Sequence, residues 1–378
     1  MKTGPTILFA GGGTGGHLFP GIAVADELQR RDPQTRIVFI GSSRSIESTI
    51  VAEHGLEHRI LPVEPLTMLR RNPLRFVYRN WQAIRMASQL VRELNPSAVI
   101  GLGGYASAPL AFVASRRRIP VILTEQNVIP GRTTRWISRF ATNVCISFPD
   151  TNSRLPRARQ ITLTGNPVRS EIASLVDLNP DLNEASSSNC PVLLILGGSQ
   201  GADSLNVAVL AAVHAHAAEL AGWKIVHQTG PRNVDDVRKA YSEWGVPAEV
   251  ESFFNDMSAR YRDASLVISR SGATTLAELA CAGHASILLP YPHAADDHQK
   301  ANARVFVDHQ AAVLVEHAES PEKTAIALEK ELVCLLKDVE RRRQMGRAAK
   351  SLARPNAARN IADVIELAMA GDPHGVTL

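Results

Sequence analysis

The stretch AGGGTGGHLFPG, Ala10–Gly21, restricts the fold of this chain more than any other. Five of the six residues from Gly11 to Gly16 are glycine. The apolar run TILFA before them reads as a short buried strand. The run IAVADELQR after them reads as a helix with Ile22, Ala25 and Leu28 on one face. The glycines are therefore a strand-to-helix turn. A turn of this kind directs free N–H groups and a helix N-terminus at an anion, usually a phosphate. A turn with no ligand rarely needs so many residues stripped of side chains.

Gly11, Gly13 and Gly16 fit G-x-G-x-x-G, the dinucleotide fingerprint, but the rest of that motif is missing. It calls for an acidic residue about 20 positions on, at the end of the second strand, to hold a ribose. The second strand here, RIVFIG, runs into Ser42, Ser43 and Arg44. The Gly-Lys-Ser/Thr ending of a P-loop is absent as well.

The same opening is played twice. CPVLLILGGSQGADSLNVAVLAAV, Cys190–Val213, again reads strand, glycine turn, helix. Between and after the two turns, strands such as IPVILTEQN, TNVCISFP, WKIVHQTG and ASILLPYP alternate with helical segments, which predicts parallel sheets. At 378 residues the chain has room for two or three domains of roughly 150 residues each. The expected fold is α/β, with two Rossmann-like domains joined near Gly165–Ser170 and a cleft between them as the natural site. The boundaries expected are 1–166, joined by a C-terminal helix at about 355–372, and 167–354. The polar stretch Val176–Asn189 reads as a loop or linker.

Composition excludes several classes. No apolar run reaches the ~18 residues of a membrane span, and the chain runs from Met-Lys-Thr-Gly-Pro straight into its first strand, so no signal peptide is expected. Cys145, Cys190, Cys281 and Cys334 are scattered with no C-x-x-C pair, which suits a reducing compartment and no structural zinc. A net charge of +4 without an aromatic–basic motif points to no nucleic-acid partner.

Further glycine turns carry further chemistry. GLGGYASAP, Gly101–Pro109, follows a strand and faces the same edge as the first turn. GGSQGA also fits G-x-S-x-G, which raises a hydrolase reading with Ser199 as nucleophile and Asp296 or Asp297 with His298 downstream. SRSGATTLAELACAG, Ser269–Gly283, places a helix start at Ala273–Thr275, with the Thr274 and Thr275 hydroxyls at a second anion site and Glu278 one turn further. HAADDHQKANA, His293–Ala303, lacks metal-ligand spacing and reads as a polar sugar-binding loop leading into a helix.

Taken together, GGGTGGHLFPGIAVA, GLGGYASAP, TEQNVIPG, TGNPVR, LGGSQGA, SRSGATTLAELA and DDHQKANA resemble, in order, the motifs of the MurG family of N-acetylglucosaminyltransferases in peptidoglycan synthesis. The resemblance spans about Gly11 to Ala303 and implies the GT-B fold, with two Rossmann-like domains facing across a cleft. It implies a donor site for UDP-GlcNAc: Ser199 and Ala273, Thr274, Thr275, Leu276 and Ala277 at the diphosphate, Glu278 at the ribose, Phe254 by its backbone at the uracil, and Gln299 at the sugar hydroxyls. Thr14, Gly15, Gly16, Asn127 and Arg169 belong to the same shell. The acceptor, an undecaprenyl-linked lipid I, falls to Gly11–His17, with Gly13 and His17 foremost, and to Gly103, Gly104, Tyr105 and Glu125. Thr124 stands where the family often has His, and the segment before Gln299 is one residue longer than the family pattern.

The reaction implied is an inverting transfer to the 4-hydroxyl of lipid-linked N-acetylmuramic acid. It needs a base and a stabiliser for the departing diphosphate. No Asp-x-Asp triplet is present, so no cofactor or obligatory metal is expected; the helix start at Ala273 and the Gly197–Gly201 N–H groups stand in for it. His17 and Glu125 are the two candidate bases, and imidazole, with an ordinary pKa near 6.5, suits neutral pH. From Leu66 to Arg92 the chain holds six arginines and no acidic residue, with Leu74, Val77, Trp81 and Ile84 at helical spacing. This segment is either an amphipathic helix on its own core or, as a lipid-linked acceptor implies, a peripheral attachment to the cytoplasmic face of the membrane. A different UDP-sugar transferase with a lipid acceptor, the Ser199 hydrolase, and a non-catalytic sugar-nucleotide sensor are the alternatives.

Overall fold

A computed structural model describes residues 4–12, 15–42, 45–177, 190–198 and 201–372. The chain divides into two compact units, Met1–Arg169 with Asn356–Leu378, and Ser170–Pro355. Each is built on a wholly parallel sheet.

In the first unit the strands are β1 (Thr6–Gly11), β2 (Arg36–Gly41), β3 (Glu57–Ile60), β4 (Ala98–Gly103), β5 (Val121–Glu125), β6 (Asn143–Ile146) and β7 (Ile161–Leu163), in spatial order β3-β2-β1-β4-β5-β6-β7. A parallel sheet is covered on both faces, so its central strands are apolar at every position. β1 divides accordingly. Ile7 and Phe9 join one core with the helix Gly15–Arg31, and Leu8 and Ala10 join another with the helices Pro73–Leu94 and Ser107–Arg116. The helix Ala357–Met369 buries Ile361, Val364 and Ile365 in the first of these cores. Arg31 binds Asp363 and Glu366 on that helix, at 2.7 Å each, and Glu27 on its own.

The second unit carries β8 (Val192–Leu196), β9 (Lys224–Gln228), β10 (Ala248–Glu251), β11 (Leu266–Ser269), β12 (Ser286–Leu288) and β13 (Ala312–Leu314), in the order β10-β9-β8-β11-β12-β13. One core gathers Leu193, Ile195, Leu266, Ile268 and Ile287 with the helices Asp203–Ala215 and Pro321–Lys337.

The strand order reverses once in each sheet, between β1 and β4 and between β8 and β11. Ligands in open α/β sheets bind beyond the carboxyl ends of the strands at that reversal. Both glycine turns that open with a strand, and both partner loops, emerge there.

Two details differ from the sequence reading, and a third lies mostly outside the described residues. The first helix starts at Gly15, so Gly15, Gly16 and His17 form its first turn. β3, EHRI, and β13, AVL, are short sheet-edge strands that the sequence reading did not include. The linker read at Val176–Asn189 lies, from residue 178 on, outside the described residues; before it the chain makes a short turn at Ser174–Asp177.

The second unit buries two uncharged imidazoles. His227 accepts from the Tyr241 hydroxyl at Nδ1 (3.0 Å) and donates from Nε2 to Asn206 Oδ1 (3.2 Å). Burial lowers its pKa to about 3, and that of His284, which donates to the Tyr261 carbonyl, to about 4. The unfolded chain takes up both protons near pH 6.5, so it binds more protons than the fold does below that value. Stability is therefore full above pH ~6.5 and falls as the pH drops toward 4, by up to ~1.4 kcal/mol per pH unit for each imidazole. Urea unfolding of the full chain at pH 7 and pH 5 measures this. His227→Gln should flatten the dependence, and a midpoint indifferent to pH in the unsubstituted chain would show that these imidazoles are not held neutral.

Candidate functional site

In the first unit, the turns after β1 and β4 meet because the strands pair directly. Gly11 stands opposite Gly103, with a bulge after Ala10. Both have left-handed backbones, φ +124° and +101°. A side chain at Gly11 would overlap the Gly103 carbonyl, so the approach of the two loops requires glycine there. Gly104, φ +72°, opens the turn into the helix Ser107–Arg116 and accepts from the Ser107 hydroxyl at 2.8 Å. Tyr105 is half-buried beside it. Gly13 and Thr14 lie outside the described residues.

His17 is half-buried in the first helical turn and lies against Gly103. Its Nδ1 is 3.1 Å from Oε1 of Gln126. Glu125, at the end of β5, is 3% exposed, and its carboxylate faces its own loop. One oxygen accepts from the backbone N–H and the side-chain amide of Asn127 (3.1 and 3.4 Å), the other from the N–H of Gly131 (3.0 Å). Asn127 is thereby held by Glu125 and by Thr151, whose hydroxyl donates to its carbonyl. Arg169 is the last, half-buried residue of this part of the unit.

In the second unit, the turn after β8 and the turn after β11 flank the reversal. Gly198 and Gly201 both have positive φ, and a side chain at Gly201 would come within 2.9 Å of the Thr229 carbonyl. Ser199 lies outside the described residues. The helix Ala273–Ala282 begins after Gly272, with no acidic residue in its first turn and no side chain capping it. Ala273 and Leu276 are buried, whereas Thr274, Thr275 and Ala277 are partly exposed. One turn on, Glu278 Oε2 accepts from the Tyr261 hydroxyl at 3.0 Å.

The surrounding loops are tied together by polar contacts. Gln299 lies in the first turn of the helix His298–Asp308, and its Oε1 accepts from the Tyr291 N–H at 2.8 Å. Its carbonyl accepts from Ser271 Oγ, also at 2.8 Å. The Phe254 N–H donates to Gln228 Oε1 at 3.1 Å, and the Arg260 guanidinium covers the Phe254 ring. Of the two adjacent phenylalanines, Phe254 is the buried one and Phe253 is exposed. His298 Nδ1 donates to the Ala295 carbonyl. Among the described residues, no group of three or more His, Cys, Asp or Glu side chains could hold a metal ion.

Arg270 was not singled out in the sequence, though it stands inside SRSG. Its buried guanidinium donates to the carbonyls of Leu289 and Pro290, to Ser204 Oγ (2.7 Å) and to His317 Nε2 (2.6 Å), so it joins the helix after the β8 turn to the loop after β12. An Arg can only donate, so His317 must be neutral. Burial and the adjacent cation lower its pKa to about 4, and burial lowers that of Arg270 to about 10. Gln126 was also missed; it was visible only as the middle letter of EQN.

The segment Leu66–Arg92 forms an exposed surface on the first unit. The helix Pro73–Leu94 packs inward through Ala83, Ala87, Val91 and Leu94. Leu74, Val77, Tyr78, Trp81 and Ile84 remain exposed, as do Leu66 and Leu69 before them. Arg70, Arg71, Arg75, Arg85 and Arg92 are exposed among them; Arg75 pairs with Glu64, and Arg85 lies over the Trp81 ring. Among the described residues, no helix is long and apolar enough to cross a membrane.

Comparison with known proteins bears on all of this. Residues 7–146 match the glycosyltransferase family 28 N-terminal domain, and residues 192–361 match the glycosyltransferase family 28 C-terminal domain. A UDP-N-acetylglucosamine–N-acetylmuramyl-(pentapeptide) pyrophosphoryl-undecaprenol N-acetylglucosamine transferase of Anaeromyxobacter dehalogenans is 39% identical over 368 residues, 95% of this chain and 91% of that protein. A protein of the same name from Nitratidesulfovibrio vulgaris is 39% identical over 375 residues, 97% of each chain. The crystal structure of MurG from Acinetobacter baumannii is 28% identical, with a TM-score of 0.78 over 96% of this chain and 99% of that one.

Proposed function

The chain belongs to the UDP-N-acetylglucosamine–N-acetylmuramyl-(pentapeptide) pyrophosphoryl-undecaprenol N-acetylglucosamine transferases, the MurG family, and on that premise we propose how its two units share the reaction. The protein is a UDP-GlcNAc-dependent glycosyltransferase of peptidoglycan synthesis, and it moves GlcNAc onto lipid I. Its fold is GT-B, two units each built on a parallel sheet. This activity takes the place of the hydrolase reading of Ser199 and of the non-catalytic sensor.

The donor reading rests above all on one observation: the uncapped start of the helix Ala273–Ala282 at the β8/β11 reversal, with Glu278 one turn behind it. First-turn N–H groups suit a diphosphate. In this reading Ala273, Thr274, Thr275, Leu276 and Ala277, with Ser199, take the diphosphate, and Glu278, steadied by Tyr261, takes the ribose hydroxyls. Phe254 lies at the uracil and Gln299 at the sugar. Thr14, Gly15, Gly16, Asn127 and Arg169 complete the donor set, while Gly13, His17, Gly103, Gly104 and Tyr105 take the acceptor.

Transfer inverts the anomeric centre. The 4-hydroxyl oxygen of N-acetylmuramic acid bonds to C1 of GlcNAc, and the bond from C1 to the β-phosphate oxygen breaks with its electron pair going to UDP. The hydroxyl proton goes to the base. Charge on the leaving diphosphate is met by N–H groups already oriented toward it, so little reorganisation is needed. Of the two candidate bases, we assign His17. Three donors of its own loop occupy the Glu125 carboxylate, which makes Glu125 the anchor of the Gln126–Gly131 loop.

The exposed face of Leu66–Arg92 attaches the protein to the cytoplasmic surface of the membrane that carries the acceptor. What supports this is the split within one helix: Ala83, Ala87, Val91 and Leu94 are buried, while Leu74, Val77, Tyr78, Trp81 and Ile84 stand exposed among arginines. Each Arg near an anionic surface contributes about 1 kcal/mol, screened by salt.

Three outcomes follow. Glu278→Ala should weaken UDP-GlcNAc binding by roughly 1–3 kcal/mol in calorimetric titration; unchanged affinity would remove Glu278 from the ribose. His17→Ala should lower kcat by roughly 10²–10⁴-fold with donor affinity near normal. If saturating acceptor restores the rate instead, His17 only binds. Leu74→Glu with Trp81→Glu should reduce sedimentation with anionic vesicles and leave transfer to a detergent-solubilised acceptor intact; undiminished sedimentation would exclude this face as the attachment.

A further inference from the structure

Resting on His17 as the base, we propose that Gln126 is the positioning residue that holds the His17 proton on Nδ1 and so leaves Nε2 open to receive the proton of the acceptor hydroxyl. Gln126 is 3% exposed and follows β5 directly. Its amide nitrogen donates to Thr124 Oγ1 at 3.0 Å and to the Leu102 carbonyl at 3.3 Å. The Thr124 hydroxyl in turn directs its own proton at the Gly101 carbonyl (3.5 Å), so toward Gln126 it offers a lone pair. Two acceptors thus fix the amide. Turned over, it would set oxygen against the Leu102 carbonyl and leave a buried acceptor unsatisfied.

The orientation of the amide decides the tautomer. Oε1 faces His17 Nδ1 at 3.1 Å, and an amide oxygen can only accept. Nδ1 therefore carries the hydrogen, and the lone pair of the neutral ring is on Nε2. Gly103 leaves room for the ring: a side-chain carbon there would stand 3.2 Å from Cε1 and 3.3 Å from Nδ1. The arrangement parallels the acid that orients the histidine of a catalytic triad, with a neutral amide in place of a carboxylate. A neutral partner sets the tautomer without adding a full charge that would hold the proton on the ring after transfer. Thr124 thereby acts at one remove from the base, because its hydroxyl is one of the two acceptors that orient the amide.

The full-length enzyme, labelled with ¹⁵N-histidine, tests this. The signal of His17 among the 12 histidines is assigned by its loss in His17→Ala. The unsubstituted protein should show the Nδ1–H form. Gln126→Leu should lose it and lower kcat by roughly tenfold to a hundredfold, short of the whole general-base contribution, with UDP-GlcNAc affinity unchanged. Thr124→Val, which leaves Gln126 in place, should also erode the Nδ1–H form, and Thr124→Ser should keep it. A Nδ1–H form that persists in Gln126→Leu overturns the proposal. A lost Nδ1–H form with full kcat also overturns it; in that case a His17→Ala enzyme that keeps its rate places the failure on His17 as base, and one that loses its rate places it on Gln126.

Discussion

The structure depends on the parallel pairing of β1 with β4 and its counterpart, β8 with β11. In each sheet these two neighbours are the only place where the chain turns away in opposite directions, β2 and β3 to one side of β1 and β5 to β7 beyond β4. The loops leaving β1 and β4 meet at Gly11 and Gly103 and lead into the helices Gly15–Arg31 and Ser107–Arg116. Gly11, Gly103, Gly104 and His17 in the first unit, and Gly198, Gly201 and Ala273–Glu278 in the second, lie on the elements that leave these pairs, whereas Arg169 and Phe254 follow the edge strands β7 and β10. The glycines are a consequence: with Gly11 set opposite Gly103, the two loops are closer than any side chain allows.

The two reversals are furnished differently. In the first unit, hydrogen bonds orient side chains: Glu125 shapes its loop, and Gln126 faces His17. In the second, the helix start offers backbone donors, and the polar side chains around it hold loops in place. Arg270 is the clearest instance, a buried cation whose partners are two carbonyls, a hydroxyl and a neutral imidazole. The first turn of the helix Ala273–Ala282 holds no acidic residue. A site for a diphosphate requires that, and a site for a proton-accepting imidazole does not.

Much of this was legible in the sequence, for physical reasons. Central parallel strands are apolar throughout, and glycines mark the turns, so β1, β4, β8 and β11 could be read with their loops. Two of the edges, β3 and β13, could not: β3, EHRI, has no continuous apolar run, and β13, AVL, spans only three residues. The periodicity of Leu66–Arg92 revealed an amphipathic helix but not which side meets the core. The buried side includes Ala83 and Ala87 beside Val91 and Leu94, and small side chains contribute little to a hydrophobic pattern. Phe253 and Phe254 are alike in sequence, and only the hydrogen bond to Gln228 and the cover of Arg260 distinguish them. The choice between His17 and Glu125 depended on backbone donors of a loop, which no side-chain pattern records.

The central claim is that the diphosphate of the donor is received at the β8/β11 reversal by the start of the helix Ala273–Ala282. Hydrogen exchange of the full chain, with and without UDP, measures this directly at the backbone groups concerned. UDP should slow exchange most in the segment Ser271–Leu279, more than in Gly11–Phe19. Slowing confined to Gly11–Phe19, with Ser271–Leu279 unaffected, would contradict the claim.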